Sequence, residues 1–190
     1  MAVGGSITRR PAQSGLTLIE VMITMTILAV GILSVVGLLA SSIATNNRNK
    51  QDTTGLYLAQ SVLEQMAAKG PYGVSFTMAD CNPAGATNWT IATAGAASPG
   101  AGANLDSSGN VDFTQSDSDL TAAYPNYAMR YITCGANGTQ AAFEVRWNVR
   151  LLNPDSTLVT VGVRQHGASA NGSNLPFYAP PVTLRTVVGP

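Results

Sequence analysis

The segment from Ser14 to Ala44, SGLTLIEVMITMTILAVGILSVVGLLASSIA, is apolar along nearly all of its length and carries one ionisable group, Glu20. From Val21 to Ala44 no charged side chain interrupts it. About 24 helical residues at 1.5 Å rise reach about 36 Å, enough to cross a bilayer of roughly 30 Å hydrocarbon thickness. Arg9 and Arg10 stand just before the run, and no comparable basic cluster follows close behind it. That asymmetry predicts a cytoplasmic N-terminus and an exported remainder. A secretory signal peptide has a shorter apolar core, about 7 to 15 residues, with its small-residue cleavage site after it. Here the run is longer, and the small residue, Gly15, comes first.

A carboxylate in an apolar helix costs about 2.5–3.5 kcal/mol at the bilayer centre and less near an end, so Glu20 calls for a partner. No Lys or Arg lies three or four residues away in its own helix. The partner is then a neighbouring molecule or a chain terminus. If the chain is cut after Gly15, Leu16 becomes an amino terminus whose positive charge can pair with the carboxylate at the start of another copy's helix. The plainer alternative is an acid that snorkels to the interface.

Arg9-Arg10 followed by SGLTLIEVMITMTILAVGI resembles the class III signal of type IV pilins and of type II secretion pseudopilins: a short basic leader, a glycine, an apolar residue and a glutamate fifth in the mature chain. The resemblance implies that a membrane prepilin peptidase cleaves after Gly15 and methylates the amine of Leu16. It also implies that Glu20 serves docking into a growing filament. Leu16 departs from the more usual phenylalanine.

After Ala44 the pattern turns amphipathic. Leu56, Ala59, Leu63 and Met66 recur at steps of three and four with Val62 beside them, while Gln60, Ser61, Glu64, Gln65 and Lys69 take the other face. Gly70-Pro71 supplies a stop. A helix from Leu16 to Lys69 is predicted, with Gly31, Gly37 and Gly55 as places where it bends or melts. The organisation expected is a leader at 1–15, a membrane and filament-core helix at 16–44, an amphipathic helix at 45–70, and an exported head at 71–190.

Within the head, Pro71 to about Tyr124 is rich in Gly, Ala, Ser, Asn and Asp and reads as a long irregular loop with one short strand near Asn88–Thr93. Strand character follows at Tyr127–Cys134, Ala142–Leu152, Thr157–Gln165 and Val182–Val188. In the second of these, Phe143, Val145, Trp147 and Val149 alternate with Glu144, Arg146, Asn148 and Arg150, which predicts one core face and one wet face. Asn153-Pro154-Asp155-Ser156 is turn chemistry and predicts a hairpin. The fold expected is α+β, a long N-terminal helix packed on an antiparallel sheet of about four strands, which is also what the pilin resemblance implies.

Charged residues make up only 11% of the chain, with zero formal net charge, and no basic patch marks a nucleic-acid surface. The two cysteines, Cys81 and Cys134, lack any metal-ligand spacing. They read as a disulfide if the head is exported and as buried thiols if it is not. The single His166 has no nucleophile motif to support it. Asp106, Asp112, Asp117 and Asp119 gather in NLDSSGNVDFTQSDSDL, but the glycine is misplaced for an EF-hand, so a solvated acidic loop is expected there. Asn88, Asn137 and Asn171 begin sequons. Trp147 is expected in the core, and Trp89, in the loop region, facing a partner.

The segments LYLAQSVLEQM, FEVRWNV and LVTVGVRQ resemble the PilV group of type IV pilus modification proteins. The function this implies is that of a minor pilin: a structural subunit, not an enzyme, with no metal or cofactor. Its implied partners are prepilin peptidase, other pilin subunits, the inner-membrane assembly platform and membrane lipid, with no nucleic acid. It would sit in the inner membrane with its head in the periplasm and then in the pilus at the cell surface. The alternatives are a type II secretion pseudopilin, a competence pilin, and a membrane-anchored periplasmic protein whose anchor is never cut.

Overall fold

The structure, a computed structural model, describes residues 17–82, 85–134, 141–166 and 181–189. The chain divides into two compact units, Met1–Asn46 and Asn47–Pro190. Helix α1, Leu18–Lys69, contributes to both.

In the first unit the helix begins where the amides of Glu20 and Val21 donate to the Thr17 carbonyl at 3.0 and 3.3 Å. Every described side chain from Thr17 to Ile43 is exposed. The hydroxyls in this stretch are satisfied locally: Thr24 donates to Val21 O, Thr26 to Met22 O and Ser34 to Val30 O, at 2.8–2.9 Å. That is how an apolar medium accepts hydroxyls, since it offers them no water. Gly31 and Gly37 lie inside unbroken helix, so neither melts it. A medium without water leaves the backbone no better partner than its own ladder.

In the second unit the helix buries Gly55, Leu58, Ala59, Val62, Leu63 and Met66. The stripe differs from expectation at one step: Leu56 is 42% exposed and Leu58 takes the buried place. Gly55 sets the phase, because it faces Phe143 and Val163 of the sheet, and a Cβ there would lie 3.7 Å from each. Positions 58, 59, 62 and 66 then follow on the same face at the helical period. Gly70 ends the helix in the left-handed region, φ 72°, with its amide on Ala67 O.

A two-stranded antiparallel sheet follows, β1 (Phe76–Ala79) with β2 (Asn88–Ile91). The main sheet is antiparallel. β3 (Ala101–Gly102) and β4 (Ala128–Ile132) share one edge of β5 (Ala142–Asn153), and β6 (Ser156–Gln165) and β7 (Val182–Val188) continue from its other edge. Asn153 pairs with Ser156, which closes the predicted β5–β6 hairpin over Pro154-Asp155. A short helix α2, Asp117–Ala123, capped by Ser116, precedes β4.

The four expected strands are present, but the region read as loop is organised. It supplies β1, β2, β3 and α2, and its 103–117 stretch lies as a strap on the second face of the sheet. The expectation of a wet face on β5 is therefore corrected: Glu144, Arg146 and Asn148 are buried, like Phe143, Val145, Trp147 and Val149 on the face that meets the helix. Gly162, central in β6, shows why the strap fits. A Cβ there would meet Val111 Cβ at 2.6 Å and Phe113 at 3.0 Å, so only a missing side chain lets the strap approach.

Candidate functional site

The first turn of α1 holds Glu20, exposed and acidic at the helix N-terminus, where the partial positive charge of the backbone amides favours a carboxylate. Around it lie only apolar, hydroxyl and glycine side chains as far as Ile43. The helix is long and apolar enough to cross a membrane by length and composition. An exposed apolar surface of this extent marks a segment that lipid or other protein covers. Gly15 and Leu16, the expected processing site, lie outside the described residues.

In the second unit the structure joins Cys81 to Cys134 in a disulfide, with a Cα–Cα separation of 5.1 Å. The bridge ties the end of β1 to the end of β4, where Cys81 N also donates to Ile132 O at 3.0 Å. Beside it is a residue that the sequence reading passed over. Asp80 is buried and accepts hydrogen bonds from Thr87 N at 2.8 Å, Asn82 N at 3.2 Å and the Trp89 indole at 3.2 Å. Burial pushes its carboxyl up, but the bonds from Thr87, Trp89 and Asn82, with a smaller one from the Ile132 backbone, outweigh this and hold it below its ordinary 3.8. Trp89 is thus half-buried against the core rather than turned outward. Trp147 is fully buried and donates to Ala92 O at 2.8 Å, and Tyr127 donates to Ala94 O. Burial, then the nearby Tyr124, raises the Tyr127 hydroxyl.

The second face of the sheet carries a charge cluster. Arg146 contacts Glu144 Oε1 through Nε at 2.5 Å, an ion contact out of line for a hydrogen bond, and Asp117 Oδ1 through Nη2 at 2.5 Å. Arg164 pairs with the other oxygen of Glu144. Both guanidiniums lie over the Phe113 ring, at 5.4 and 4.8 Å from its centre. The alternation of charge along β5 was the visible signal. What it could not show is that an acidic, glycine-fitted strap covers it.

His166 closes β6 through its amide on Ala142 O at 2.8 Å and stands beside no described nucleophile in the hydrogen bonds or ion pairs. The aspartates are used in turns: Asp106 Oδ1 accepts from Ser108 N and Asn110 N, both at 2.8 Å, and Asp112 Oδ1 accepts from Thr114 N and Oγ1. Asn88 is exposed on β2, and the other two sequons lie outside the described residues.

No curated protein and no solved structure matches the chain. Residues 10–41 match the family model of the prokaryotic N-terminal methylation motif. The match spans the basic leader's end, the glycine, Glu20 and most of the exposed apolar helix, so the chain carries a type IV pilin-like class III signal on an α+β protein.

Proposed function

We propose that the chain is a minor pilin of the PilV kind, a structural subunit made as an inner-membrane precursor, cut by prepilin peptidase after Gly15 and then incorporated into a type IV pilus or into the complex that primes one. The observation that carries this reading is the exposed apolar helix with one carboxylate in its first turn, lying largely within the matched segment. Lipid covers the helix before assembly, and the helices of neighbouring pilin subunits cover it afterwards. In the membrane Glu20 is tolerated near the edge; beside another subunit it meets the amine of that subunit's Leu16 or a polar group there. The head, closed by the Cys81–Cys134 bridge, stays periplasmic and then reaches the cell surface.

The test compares wild type with Glu20→Gln and Glu20→Ala by fractionation. Both variants reach the membrane and lose residues 1–15, seen by intact mass with a methyl group on Leu16. Both are depleted from sheared filaments, or lower filament number, with Glu20→Ala at least as severe because it also loses the hydrogen-bonding group. Uncut protein throughout would return the reading to an uncleaved membrane anchor. Normal processing, with the protein in a secretion complex and not in pili, would favour the pseudopilin. Unchanged assembly of both variants would make Glu20 a passive interfacial acid.

A further inference from the structure

The five arginines of the main sheet all fall on one face. Arg130 stands opposite Glu144, Glu144 opposite Arg164, Arg146 opposite Gly162, and Arg185 opposite Thr160, so these positions share the side away from the helix, and Arg150 follows Arg146 and Asn148 at the strand period. Glu144 is the one carboxylate among them in the strands. The polypeptide over this face has the opposite character: residues 103–119 contain Asp106, Asp112, Asp117 and Asp119 and no basic residue.

The contacts divide between sheet side chains and strap backbone. Arg146 donates to Gln115 O at 2.7 Å and Asp112 O at 3.4 Å, Arg164 to Phe113 O at 3.5 Å, Arg185 to Ser108 O at 2.7 Å, and Asn148 to Ala103 O at 2.9 Å. Each of the strands β5, β6 and β7 thus holds the strap by its carbonyls. The balancing charge for the buried Arg146 comes partly from Asp117, which is 69% exposed. Its ordinary worth as a surface pair would be small, but its partner is buried, and removing one side of such a contact leaves a buried charge short of compensation.

We infer that the 103–117 strap is a charge-held cover that opens from the sheet as a unit, ahead of global unfolding of the head, when its carboxylates are neutralised. The helix face is packed by apolar side chains and does not depend on charge. The strap face also packs Val111 and Phe113 over Gly162, but it depends on charge besides, through Arg146, Arg164 and Arg185, with Arg130 and Arg150 exposed or half-exposed at its margins. Opening therefore separates the two faces in stability. The sign follows from the Asp117 carboxylate on Arg146 and from Asp112, whose carboxyl is held below 3.8 first by the Thr114 hydroxyl and N–H, bonds inside the strap that its lifting leaves intact, and then by Arg146, the share that lifting removes. A depressed carboxyl stabilises the closed form above its unfolded value and loses that contribution as the pH falls through the folded one.

The test is amide hydrogen exchange resolved by peptide, on the full chain in detergent micelles, corrected for the intrinsic rate. In Asp117→Asn near pH 7, amides of 103–114 should exchange about tenfold faster than in wild type, while those of β5 and β6 keep their rates. Asp119→Asn, whose backbone amide donates to the Ser116 cap of α2 and whose side chain makes no hydrogen bond or ion pair with the described sheet residues, should leave both unchanged. In wild type below pH 3.8, the strap should lose protection before the β5–β6 ladder does. Strap and ladder amides exchanging together at both pH values, or an unaltered strap in Asp117→Asn, would overturn the proposal.

Discussion

The apolar half of α1 and the head's sheet put similar side chains to opposite uses. Between Thr17 and Ile43 nothing is buried, whereas in the sheet both faces of β5 are closed, one by the amphipathic half of the same helix and one by the strap. The first region has a surface but no core of its own, and its order in a cell depends on what surrounds it. The second is complete within the chain. Substitutions of similar size should therefore have unequal consequences, and both tryptophans, Trp89 and Trp147, lie in the head, so their emission reports the head alone.

The largest effect is expected at Trp147. Its full burial and its bond to Ala92 O predict that Trp147→Ala lowers head stability by about 3–5 kcal/mol. Denaturant unfolding followed through Trp89 measures it, and a loss below about 1 kcal/mol would mean that the head's core lies elsewhere. Arg146→Met should follow at about 3 kcal/mol, since Glu144 keeps Arg164 but loses the more deeply buried of its two partners. A neutral or stabilising result would show that the strap seats as well on an apolar residue. Gly162→Ala should cost about 1–3 kcal/mol through the clash with Val111 and Phe113, with the change confined to strap protection in exchange measurements.

Asp80 sharpens the comparison by pH. Its carboxyl is depressed, so its contribution is present above 3.8 and is lost as the pH falls through its folded value. The unfolding midpoint of wild type should fall on acidification below 3.8, more steeply than that of Asp80→Asn, which is already weaker at neutral pH. The smallest effect is expected in the other region. Leu28→Ala, 63% exposed on the apolar helix, should change head unfolding by no more than about 0.5 kcal/mol. A larger shift would mean that the helix's membrane half contributes to the head's fold.

The sequence made the elements with strong periodicity plain. The apolar run, the Gly70 stop, the four long strands and the Asn153–Ser156 turn all stand where patterning puts them, because those signals are local. The structure joins Cys81 to Cys134, a pairing the sequence left open because it does not fix the compartment. What local patterning could not reach was whatever a distant segment does to a face. The β5 alternation is a true strand signal, yet whether its charged side is wet depends on residues some 30 positions earlier, joined to Arg146 across separations of 29 to 34 residues. Leu56 and Leu58 exchanged roles for the same reason, because Gly55 against Phe143 and Val163 fixes the helix phase. Asp80 gave no signal, since two of its donors, Thr87 N and the Trp89 indole, reach it only after β1 and β2 pair. For Gly15, Leu16 and Glu20, the sequence motif still carries the reading.

The strap's clamps also set an order of events. Asn148 reaches Ala103 across 45 residues, Arg164 reaches Phe113 across 51, and Arg185 reaches Ser108 across 77. Contacts this distant in sequence form slowly, since loop closure must precede any gain from them. The Arg185 clamp in particular cannot exist until β7 has been made and delivered. Until the strap is clamped, Arg146 and Thr160 on its side of the sheet are less fully covered from water and from other chains, and that interval is when the protein is most exposed to aggregation and to proteolysis.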